Sequence, residues 1–123
     1  MSMGNVSDAI ATTWLTQLQS SAVYAAVHFD IPNWADPGSS ECNDPGYARQ
    51  RVTWTFNSAR EIVTATPLVY PALLETSVAA VGLWTASLGG TMVAYASTVP
   101  GNEMFVANLA TLTLGAGEVS ISV

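Results

Sequence analysis

His28 and Cys42 are the side chains that could begin a reaction, one as a base and the other as a nucleophile, and the chain holds one of each. Nucleophilic catalysis needs a nucleophile, a base and an orienting group within hydrogen-bond reach. No Gly-x-Ser-x-Gly turn frames a serine for His28. Cys42 stands between Glu41 and Asp44, and neighbouring negative charge holds a thiol protonated. The sequence therefore assigns no catalytic residue, and His28 reads as a polar side chain on the outer face of a strand. A structural zinc wants about four Cys or His ligands, which one of each cannot supply. Asp30, Asp36, Glu41, Asn43 and Asp44 put oxygen donors in one loop, but the spacing of a calcium loop is missing. They read as solvated acids, with calcium as the alternative, and no metal or cofactor is assigned.

Charge narrows the partners further. Arg49, Arg51 and Arg60 are the only basic side chains besides the histidine, nine carboxylates oppose them, and the formal net charge is -6. Nucleic-acid affinity comes mainly from cations neutralising phosphates, so neither nucleic acid nor an anionic membrane is an expected partner. Without lysine there is no Schiff-base chemistry and no P-loop. In so acidic a chain Arg49 is expected to pair with Asp44 or Glu41 and hold their loop onto the sheet.

The elements that must position these residues follow from periodicity. Val6, Ile10, Trp14 and Leu18 recur every four residues and predict a helix from Ser7 to Gln19, with Ser7 as N-cap and Asp8 in the first turn. From Val23 the period becomes two: Val23, Ala25, Val27 and Phe29 alternate with Tyr24, Ala26, His28 and Asp30, predicting a half-buried strand. Ile31 to Gly46, rich in Pro, Gly, Asn and acids, reads as an excursion between strands. Val52, Trp54 and Phe56 alternate with Arg51, Thr53 and Thr55, and Asn57-Ser58 is expected to turn the chain. Ile62 to Val69 reads as strand interrupted by Pro67. Val78 to Thr85 and Met92 to Ser97 flank Gly89-Gly90, a hairpin signature. This outweighs a membrane span through the uncharged stretch Thr76 to Asn102. After a turn at Pro100-Gly101-Asn102, Met104 to Leu114 and Val119 to Val123 supply the last of seven or eight expected strands.

Frequent turns and alternating strands predict a mainly β protein, an antiparallel β-sandwich of jelly-roll type with one N-terminal helix. Residues 1-22 form the helix or arm and 23-123 a single sandwich domain. Half of the 123 residues are apolar and 10% are charged, against roughly 25% charged in ordinary soluble domains. Such a surface is expected to be shared with other copies of the chain. Trp54 and Trp84, on strand patterns, are expected in the core. Trp34, in the loop, is an interface candidate. Ile10, Trp14 and Leu18 pack either on their own sheet or on a neighbouring chain.

The order of features then resembles a family of small bacteriophage virion proteins described as tail-fibre-like or head-decoration-like. An N-terminal helix precedes Val23-Tyr24-Ala25-Ala26-Val27-His28, a Pro/Asp loop, and Gly46-Tyr47-Ala48-Arg49-Gln50 leading into Val52, Trp54 and Phe56. Val81-Gly82-Leu83-Trp84 before Gly89-Gly90-Thr91-Met92-Val93, and the ending Gly115-Ala116-Gly117-Glu118-Val119-Ser120-Ile121, continue the likeness. Asp30-Ile31-Pro32-Asn33-Trp34-Ala35 departs from it, where that family has a shorter turn. The resemblance implies a non-enzymatic virion structural protein, a homo-oligomer and specifically a trimer. Its partner is the major capsid protein, where it serves as a decoration or minor capsid protein, or the tail proteins, where it serves as a fibre or tip component. A small carbohydrate-binding module or hydrolase on the same fold is the alternative of another class.

Overall fold

In the computed structural model, residues 6-73, 76-97, 104-107 and 109-123 are described. The segment Met1 to Asn5 of the expected arm and the expected turn Pro100-Gly101-Asn102 lie outside them. The protein is mainly β, a β-sandwich-like arrangement of antiparallel sheets with one helix.

The helix α1 spans Asp8–Ser21, and its N-cap is Ser7, whose Oγ accepts from the amide of Ile10 at 3.2 Å. Its buried face is not the predicted one. Ala11 and Leu15 are fully buried and Leu18 packs on the core, whereas Ile10 and Trp14 stay 44% and 50% exposed. The helix is turned so that the smaller residues meet the sheet, because a close approach suits Ala and Leu better than an indole. It is tied to its own chain, not left as a free arm. Thr12 donates to the Ala59 carbonyl at 2.8 Å, Arg60 Nη1 donates to the Val6 carbonyl and to Asp8, and Trp54 Nε1 donates to the Ala22 carbonyl at 2.8 Å.

The central sheet has the order β2-β1-β7-β8, with β1 Tyr24–His28, β2 Gln50–Arg51, β7 Ala80–Trp84 and β8 Met92–Ser97. Between these run β3 Trp54–Ser58 and β4 Glu61–Thr64, which pair with each other, and β5 Leu68–Leu73 and β6 Thr76–Val78. The last strands are β9 Met104–Val106 on β6, β10 Ala110–Leu114 on β5, and β11 Ser120–Ser122 on β4. Eleven short strands among the described residues replace the seven or eight expected. Val78 to Thr85 and Met104 to Leu114 each divide into two, and the turn after β3 falls at Ala59-Arg60 instead of Asn57-Ser58.

The main core lies where Ala25, Val27, Val81 and Leu83 meet Leu68, Tyr70, Leu73, Leu112 and Leu114. The other face of the central sheet is also covered, by Trp84, Ala26 and Met92 under Tyr47, Tyr24 and Tyr95. β1 is thus buried on both faces, and alternation did not describe it. His28 is fully buried, whereas Phe29 is 49% exposed. Phe56, expected inside, is 40% exposed. The hairpin β7–β8 is as expected: Gly89 and Gly90 both take positive φ, +63° and +71°, a conformation in which side chains other than glycine's are strained.

Candidate functional site

The covering of the outer face comes from the chain between β1 and β2, of which we call residues 29-48 the strap. Its middle forms a single 3-10 turn, Pro37–Ser40, and its next residues continue along β1 where β2 stops. The Phe29 amide donates to the Ser40 carbonyl at 3.0 Å and the Cys42 amide donates to the Val27 carbonyl at 2.8 Å. This path brings Glu41 to the outer face of the sheet, opposite His28 in the ladder.

There Arg49 closes the structure. Its Nε and Nη2 donate to the two oxygens of Glu41, each at 2.8 Å, and Nη1 donates to the carbonyls of Ala86 and Gly89 at 2.9 and 2.7 Å. The guanidinium carbon lies 3.9 Å above the Trp84 ring. The expected pairing of Arg49 with a loop acid is therefore made, and Glu41 rather than Asp44 is the partner. Planar bidentate geometry and a desolvated aromatic face suit arginine alone among cations. The Tyr47 hydroxyl donates to Glu41 at 2.7 Å and accepts from the Val27 amide at 3.1 Å, and its ring stacks on Tyr70. Burial would raise the Glu41 pKa, but the hydrogen bonds from Arg49 and Tyr47 outweigh it and hold the carboxyl below its usual range. Tyr47 itself, buried and bonded to a carboxylate, is held as the neutral phenol.

His28 lies beneath this ion pair. Its ring stacks in parallel with Trp84, the planes 4° apart, and the close passage is open only because Gly82 has no side chain. A Cβ there would overlap the imidazole and come within 2.9 Å of Trp84 Nε1. Trp84 Nε1–H can only donate, and it points at His28 Nε2 at 3.5 Å; Nδ1 therefore carries the proton and donates to Ser40 Oγ at 2.9 Å. Burial, with a smaller contribution from Arg49 and against the attraction of Glu41, lowers the His28 pKa to about 4. The ring is neutral near pH 7 and closed to solvent. Cys42 is buried as well. Burial, then Asp44 and Glu41, raise its pKa, which keeps the thiol protonated.

A cavity of about 370 Å³ opens beside the ion pair, lined by Glu41, Cys42, Tyr47, Arg49, Ser87 and Leu88. Among the described residues no three His, Cys, Asp or Glu side chains converge as metal ligands, and no helix is long and apolar enough to cross a membrane. Of the residues singled out in sequence, Arg49, Trp84 and Gly89 meet in one cluster, and Gly90 completes the turn. Trp54 is a half-buried tie to the helix. Ile10 and Trp14 stand on the helix, and Trp34, 59% exposed, leans on Tyr95 with ring centres 5.7 Å apart. Sequence reasoning did not find Ser40, Tyr47 and Gly82. The signal in sequence was slight: the supposed wet face of β1, Tyr24, Ala26, His28 and Asp30, carries a single acid. No protein-family model, curated protein or solved structure matches this chain.

Proposed function

We propose that the chain is a structural subunit of a bacteriophage particle, attached to the capsid exterior as a decoration or minor capsid protein, and that it works by surface contact without turnover. The family resemblance suggests the particle. The observation that carries the contact role is the placement of large apolar side chains. Ile10, Trp14, Trp34, Leu88, Phe105 and Leu109 are 44 to 88% exposed, while His28, Cys42 and Arg49 are enclosed. A chain with only three basic and nine acidic side chains gains by covering such residues against other chains. Its first partner is itself, as a trimer, and its second is the major capsid protein. Quantitative mass spectrometry of purified particles tests this: one copy or more per capsomer is expected, and absence from particles ends the reading. Exposed Trp34, leaning on half-buried Tyr95, favours a second placement, at the tail tip, where aromatic rings serve receptor contact. A few copies per particle would select it.

A further inference from the structure

The strap is held to the sheet by two backbone hydrogen bonds along β1, by Tyr47 on Val27 and Tyr70, by Trp34 on Tyr95, and by the contacts of His28 with Ser40 and of Glu41 with Arg49, and of these groups His28 and Glu41 change charge on taking a proton. We propose that residues 29-48 form a strap that acid releases from the central sheet, through the buried His28–Ser40 and Glu41–Arg49 contacts, and that release uncovers the Cys42 thiol while the sandwich stays folded.

The geometry favours local release. On the strap side of His28 stand Ser40 and Glu41, whereas Trp84 and Gly82 on the other side belong to β7. Swinging the strap away therefore admits water to the imidazole without disturbing the ladder of β1 and β7. Three prolines, Pro32, Pro37 and Pro45, and a single 3-10 turn leave the strap without a long helix or ladder, so the backbone bonds that release must break on β1 are the short bridge of Phe29 to Ser40 and Cys42 to Val27. The charged and titratable groups in contact are few. Glu41 faces Arg49, Tyr47 and His28 and acts electrostatically on Tyr70 of β5, and Cys42 faces Asp44 and Glu41.

Both proton sites push in the same direction. The closed form resists protonation of His28 down to about pH 4, whereas an open imidazole takes its proton near pH 6.5. On linkage, His28 alone favours the open form roughly seventyfold more at pH 4.5 than at pH 7.5. Glu41, its pKa held low when closed, adds to this as the pH falls further.

Cys42 is the only cysteine and is 8% exposed, so its labelling reports the strap directly. The full chain would be treated with 4,4′-dithiodipyridine, which reads thiols at acid pH, and the rate divided by that of glutathione at each pH. A rise of at least tenfold from pH 7.5 to 4.5, with unchanged far-ultraviolet circular dichroism, is expected. Glu41→Gln should label at least tenfold faster than the wild type already at pH 7.5. A normalised wild-type rate that stays flat until the circular dichroism is lost would overturn the proposal, and so would a Glu41→Gln variant labelling as slowly as the wild type. The wild-type profile decides the matter if the variant does not fold.

Discussion

Arg49 gives four hydrogen bonds and one aromatic contact from a single side chain, so truncating it removes more than a charge. Arg49→Ala strands Glu41 without its counter-ion and leaves two carbonyls unpaired, and breaking a buried pair in this way costs about 3 to 5 kcal/mol. Urea unfolding at pH 7 checks the figure. Arg49→Lys should recover less than half of it, because an ammonium cannot reach both carboxylate oxygens and both carbonyls. His28 sets the acid limb of global stability. Its folded pKa, about 4, lies below the unfolded value near 6.5, so the unfolded chain binds the proton first. The contribution is complete above about pH 6.5 and is lost as the pH falls to about 4, for a total of roughly 3 kcal/mol. Urea midpoints at pH 7, 5.5 and 4 should fall in that order, and a midpoint constant over this range would contradict the burial of the imidazole. Gly82→Ala should cost about 1 to 3 kcal/mol or more, seen as a lowered thermal midpoint, since its methyl would occupy the space of the His28 and Trp84 rings.

At the level of elements, the helix separates two kinds of apolar residue that look alike in sequence. Leu15 is fully buried and Trp14 half exposed. Leu15→Ala should therefore cost about 2 to 5 kcal/mol, whereas Trp14→Ala should cost less than about 1 kcal/mol, a contrast that thermal melts of the two variants would show. The sequence placed this helix and its Ser7 cap correctly, because capping and period are local properties. It did not predict the face, since Val6, Ile10, Trp14 and Leu18 and the stripe Ala11, Leu15, Leu18 and Ala22 are both apolar at helical spacing. Only contact with β4 and the core chooses between them. The Gly89-Gly90 hairpin was legible for the same local reason, as was the excursion after β1. The burial of His28 was not, because the residues that cover it come from the strap and from β7, twelve or more positions away.

For the molecule as a whole, the proposed function makes association the expected fate of the apolar groups left in water. Sedimentation at micromolar concentration should give a trimer, and Trp14→Asp or Trp34→Asp should reduce the mass towards that of one chain without change in circular dichroism, if either face is the contact. A wild-type mass of one chain would contradict the proposal. The arrangement of the central sheet also bears on time. β1 pairs with β7 and Arg49 reaches the turn at Ala86 and Gly89 and the Trp84 ring, so although Glu41 is near Arg49 in sequence, the full clasp can form only after distant parts of the chain have met. Folds dominated by such non-local pairings reach the native state in about milliseconds to seconds. The full Arg49 clasp is expected to form late on that route. Its loss should leave the refolding rate nearly unchanged and speed unfolding, by about a hundredfold or more for 3 kcal/mol. The side chain that closes the strap then acts chiefly on how long each folded molecule lasts, and little on how quickly it is made.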